Sequence, residues 1–210
     1  MSDARQNSVM QLAELYNVVI GVALSISVYH SVDKTAYIIL VKHSQIINLI
    51  TLIIILVPFY HGAVRHLFAT YVEDSGSTRI KNGALVTDFF LLFFEGCVFV
   101  LLGSVLDDTL KFTLVLIFLL VLDSIWGFLA WLAFTGAQAQ YAERSWALIN
   151  MITAGLLGIL VIFAGGVFQM KPFSSQIGLF AVIGIRTVVD YFVSWKFYFP
   201  DHSTSKRRQG

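Results

Sequence analysis

The chain has 210 residues, 57% of them hydrophobic and 13% charged, with a mean hydropathy of +0.78 and a formal net charge of +1. Soluble domains carry about 25% charged residues, so an ordinary soluble core is excluded, and the near balance of 14 basic and 13 acidic residues argues against a nucleic-acid partner. A single cysteine, Cys97, leaves no intrachain disulfide and no multi-cysteine metal site.

A membrane-spanning helix needs about 20 mostly apolar residues. That length picks out six candidates at 16–32, 46–70, 84–105, 112–135, 146–168 and 177–199. The expected fold is therefore all-α, a polytopic bundle of about six transmembrane helices with no soluble domain. Residues 1–15 form a cytoplasmic N-terminal segment, 16–199 the membrane domain and 200–210 a basic cytoplasmic tail. Nothing before the first helix reads as a cleavable leader, so that helix is expected to be retained.

Lys and Arg positions set the orientation. With both ends in the cytoplasm, the inside holds Arg5, Arg79, Lys81, Arg144, Lys206, Arg207 and Arg208, and the outside Lys34, Lys42, Lys111 and Lys171. Seven against four favours both termini inside. Trp146, Trp195, Tyr198 and Phe199 read as an aromatic belt on that side, and Pro200 is expected to stop the last helix. The expected location is the cell membrane, with the lipid bilayer as surroundings. No internal three-plus-three repeat of the transporter kind is found.

Ionisable residues inside the spans are expensive and need a reason. His61, Arg65 and His66 lie in the second helix, Asp88 and Glu95 in the third, Asp123 in the fourth, and Arg186 and Asp190 in the sixth. Counting depth along each helix puts His61, Glu95, Asp123, Arg186 and Asp190 in a middle layer, read as an ion or substrate pathway. Arg65, His66 and Asp88 fall in a second layer nearer the cytoplasm. Spacings of four for His61 with Arg65 and Arg186 with Asp190, and seven for Asp88 with Glu95, place each pair on one helical face. The expected pairings are Arg65 with Asp88, and Arg186 with Asp190 and with Asp123 or Glu95. Acid is then in excess at the centre.

Helices one and five, poor in ionisable groups, are expected at the periphery. Pro58 and Gly62 mark a bend or hinge in helix two, since proline frees the carbonyl four residues earlier. Ala154, Gly158, Gly165 and Gly166 give helix five a small-residue face for a homo-oligomer seam.

Three functions follow. The acid excess and several contributing helices favour proton or cation conduction or small-solute transport. A structural or signalling subunit acting with a protein partner is the alternative, in which buried charges only fix packing. The third is a membrane-embedded enzyme on a lipid-type substrate. His61 and His66 are about 140° apart on a regular helix, which keeps them off one metal ion, while His61, Asp190 and Glu95 leave a mononuclear site open. No catalytic residue, cofactor or metal follows from the sequence itself, and the enzyme reading is the least favoured.

Overall fold

The computed structural model describes residues 2–32, 43–73, 82–133, 139–163 and 172–200. They are almost entirely helical: α1 Ser2–Ser31, α2 His43–Phe68, a π turn Ala69–Glu73, α3 Asn82–Ser104, α4 Thr109–Ala133, α5 Ala139–Ile162, α6 Pro172–Val193 and the short α7 Trp195–Tyr198. Six of these are long and apolar enough to cross a membrane, as in a multi-pass membrane protein. Large apolar side chains such as Ile185, Val188 and Phe192 face outward, Phe192 at 84% exposure. A soluble monomer does not display an apolar belt of this extent. The loop lysines and arginines at 34, 42, 79, 81 and 171, the paired glycines Gly165 and Gly166, and the tail from 201 lie outside the described residues.

Between lipid-facing helices there is little hydrophobic driving force, so association depends on close packing and interhelical hydrogen bonds. Three glycines supply the closeness. A Cβ on Gly96 would sit 2.5 Å from Val19 Cγ1, one on Gly103 would sit 2.3 Å from Ser27 Oγ and 3.0 Å from the Ala23 carbonyl, and one on Gly127 would sit 3.0 Å from the Glu143 carbonyl. The first two press α1 along α3 in the same direction; the third presses α4 against α5 in opposite directions. Serines in α1 stay satisfied without water, because Ser27 and Ser31 donate to carbonyls four residues back.

Several boundaries differ from expectation. α1 begins at Ser2, because Val9, Ala13 and Tyr16 continue its buried stripe toward the N-terminus. The α-helix of α2 runs through Pro58 without a break. Pro58 cannot donate to the carbonyl of Ile54, and the Thr187 hydroxyl of α6 donates to that carbonyl at 3.3 Å instead. Pro58 is thus a docking point for α6. The irregular turn of this segment comes later, at Ala69–Glu73, after Gly62 as well. Likewise α6 ends at Val193, before Pro200: Ser194, with φ −98° and ψ 14°, turns the chain into α7.

Helix five is the least buried of the six spans, as expected, but one of its faces is used inside the bundle. It packs between α4 and α6, and Asn150, Thr153, Ala154 and Leu157 are buried. Ala154 belongs to the chain's own core, whereas a Cβ on Gly158 would meet nothing within 4 Å. Contacts between α2 and α3, α4 and α5, and α2 and α6 define two ends of the bundle. One carries Asn48, Leu106, Thr109 and Gln176; the other carries His66, Asp88, Glu143 and Tyr198.

Candidate functional site

The stripe Phe59, Gly62, Ala63 and His66 on α2 follows the i, i+3, i+4, i+7 spacing of one helical face, and it forms one wall of a cavity of about 50 Å³. α3 contributes Leu92 and Glu95, α4 contributes Asp123, Trp126 and Gly127, and α5 contributes Glu143 and Trp146. Arg186 and Asp190 of α6, and Tyr198 of α7, complete the enclosure. Of the expected middle layer, Glu95, Asp123, Arg186 and Asp190 line this space, and of the other layer only His66 does.

At its centre, Arg186 Nη1 lies 3.0 Å from Asp190 Oδ2, and Arg186 Nε donates to Asn150 Oδ1 at 3.0 Å. Asn150 in turn donates to Asp123. The link from Arg186 to Asp123 thus passes through an amide from α5. Glu95 and Asp123 are neighbours, and two carboxyl groups can bond each other only by sharing a proton. Arg186 also stands 5.1 Å over the Phe59 ring, a cation–π contact.

Toward the His66 end, Nε2 of that ring lies 3.1 Å from Asp88 Oδ2 and Nδ1 lies 2.9 Å from Glu143 Oε1. An imidazole donates to carboxylates at both nitrogens only when doubly protonated. Tyr71, turned inward by the π turn, donates to the same Asp88 oxygen at 2.5 Å. The expected Arg65–Asp88 pair does not form. Arg65 instead chelates Glu73 at 2.5 and 2.8 Å and donates to the Phe197 carbonyl at 2.9 Å. The cause is angular: Arg65 lies off the stripe that carries His66, on the side facing α7. It latches that short helix beside the cavity.

His61 shares the Arg65 side and does not line the cavity. Its ring packs on Tyr198 at 4.7 Å between centroids, with Tyr191 OH 3.4 Å from Nδ1. The mononuclear site from His61, Asp190 and Glu95 is not assembled; among the described residues no group of three or more His, Cys, Asp or Glu is placed to hold a metal ion. The expected aromatic belt also divides. Trp195 and Phe199 are exposed, whereas Tyr198 is buried and donates to Asp190 Oδ2 at 3.2 Å, packed against Trp146.

Glu143 is the main residue that sequence reasoning missed. It precedes the apolar run of helix five and reads as loop, yet it is 1% exposed; its Oε1 faces His66 Nδ1, and its Oε2 lacks a hydrogen-bond donor. The available signal was its spacing: Glu143, Trp146 and Asn150 recur at i, i+3 and i+7. Glu95 Oε1 and Asp190 Oδ1 are likewise buried without a donor. Among the described residues, the five carboxyls of Asp88, Glu95, Asp123, Glu143 and Asp190 face only Arg186 and His66 as buried cations. Three carboxyls are in excess. Compared with known proteins, the chain matches no family model, no curated protein and no solved structure.

Proposed function

We propose that this chain is a cell-membrane protein that carries protons, or a small cation in exchange for them, through the acidic cavity between α2, α3, α4, α5 and α6. The observation that carries the reading is the surplus of buried carboxyls around an internal space. An ion-pair lattice that only held helices together would match its charges, because each unpaired buried charge opposes folding. Here Glu95 Oε1, Glu143 Oε2 and Asp190 Oδ1 have no donor among the described residues, although the cavity is large enough for water. An acid cluster with room for water is what a proton route through a bilayer requires.

The Lys and Arg distribution favours the His66 end facing the cytoplasm, with both termini on that side. Pairing with a second copy through the open side of α5 begins at Gly158, since Ala154 is already used inside the chain.

The test is proton uptake into vesicles containing the purified chain, compared with Glu143→Gln and Glu95→Gln at equal incorporation. The expected result is uptake by the native protein and a loss of about a hundredfold in each variant, the scale of one positioned proton-transfer group. Vesicles that move no H⁺, Na⁺ or K⁺ above the empty control overturn the reading. Variants that run at the native rate overturn the site.

A further inference from the structure

We propose that the solute accepted by this cavity is a small organic cation bearing N–H donors, of the ammonium or guanidinium class, with about four non-hydrogen atoms. The inference rests on the cavity being the working site and names what enters it. Carboxylate oxygens are acceptors only, and those without a donor among the described residues include Glu95 Oε1, Glu143 Oε2 and Asp190 Oδ1, on three different helices. A ligand that satisfies them must carry positive charge and several donors pointing in different directions. A bare metal ion needs ligands converging within about 2.0 to 2.6 Å, and no such convergence of His, Cys, Asp and Glu exists among the described residues.

The remaining walls favour the same chemistry. Trp126, Trp146 and Tyr198 line the space beside the acids, and aromatic faces attract organic cations that have shed their water. The chain's own Arg186 illustrates the fit, held by Asp190 at 3.0 Å and by the Phe59 ring at 5.1 Å. Size sets the upper limit. At about 10 to 15 Å³ for each water-sized group, the cavity of about 50 Å³ takes a methylammonium or guanidinium ion and excludes branched polyamines and drug-sized cations.

The experiment is titration calorimetry on the full chain in detergent with guanidinium, methylammonium, tetramethylammonium and sodium chlorides. The expected result is saturable binding of guanidinium, with tetramethylammonium, which has the charge but no N–H, about tenfold weaker or worse. Glu143→Gln should weaken guanidinium about tenfold while the unfolding temperature stays near the native value; Glu95→Gln serves the same purpose should the first variant fail to fold. Equal binding of tetramethylammonium and guanidinium overturns the proposal, as does indifference to both substitutions. Proton uptake without guanidinium binding also overturns it and leaves the proton reading standing, whereas guanidinium binding without proton uptake supports it and removes the proton step.

Discussion

Both ends of the bundle bury polar side chains, and they do so in opposite ways. At one end, Asn48 of α2 donates to the Leu106 carbonyl at 2.9 Å and to Thr109 at 3.2 Å, while Gln176 of α6 donates to the same Thr109 at 2.9 Å. These neutral amides tie α2 and α6 to the α3–α4 turn. The nearby depression bounded by Thr109, Thr113, Leu160 and Ser175 has no ionisable side chain in its wall. At the other end the groups are charged, unequal in number and arranged around a cavity. Oxygens also lack donors at the amide end, on Gln45 and Asn48, but a neutral acceptor left alone costs far less than an anion. The contrast separates neutral polar groups that tie helices together from charged ones that are unequal in number around a cavity.

The sharpest way to break this comparison is to remove Arg186, the one buried arginine among the described residues. Arg186→Met leaves Asp190 without its ion pair and Asn150 without its donor. The expected cost is about 3–5 kcal/mol, as for other buried pairs deprived of one member, read as equilibrium unfolding in mixed micelles. A variant as stable as the native protein would show that the acids are already neutral at rest, and the surplus of charge would be gone.

Asn48→Ala addresses the amide end. It removes two donations and leaves the Leu106 carbonyl unmet, for a loss of about 1–3 kcal/mol in the same unfolding measurement. Proton uptake per folded molecule should not change. A loss of uptake at native stability would place the amide end on the route and erase the distinction between the ends.

How much of this was legible from residues alone follows the same division. Six apolar runs give six helices because length and hydropathy are local properties. Arg186 with Asp190 is legible too, since both lie on one helix four residues apart. What escapes is whatever depends on rotation or on helix ends. His61 and Arg65 share a face, as their spacing requires, but which face meets the cavity is decided by packing against α6 and α7. Glu143 escapes because hydropathy windows end a helix at its first charges, while the helix itself continues through Ala139–Ile162. The missing donor of Pro58 is visible in sequence, whereas the Thr187 hydroxyl that takes up the freed carbonyl lies on another helix.

The smallest expected effect lies outside the spans and sharpens the comparison from the surface. Asp108 precedes α4 and its Oδ1 accepts the backbone N–H of Lys111 at 3.0 Å, with Lys111 Nζ 3.0 Å from Oδ2. This is an N-cap, and the backbone N–H together with the Lys111 side chain holds the Asp108 carboxyl below its ordinary value. A carboxyl whose folded value is depressed stabilises the fold above its unfolded value, near pH 4, and that contribution is lost as pH falls through the lower folded value. Asp108→Ala should therefore cost about 1 kcal/mol at neutral pH, the usual worth of a cap. Below about pH 4 the gap to the native protein should narrow in the unfolding measurement. Because Asp108 is largely solvated and remote from the cavity, proton uptake at pH 7 should stay at the native level. A cap variant that altered uptake would tie the α3–α4 turn to the acids through α4, along the helix that carries Asp123.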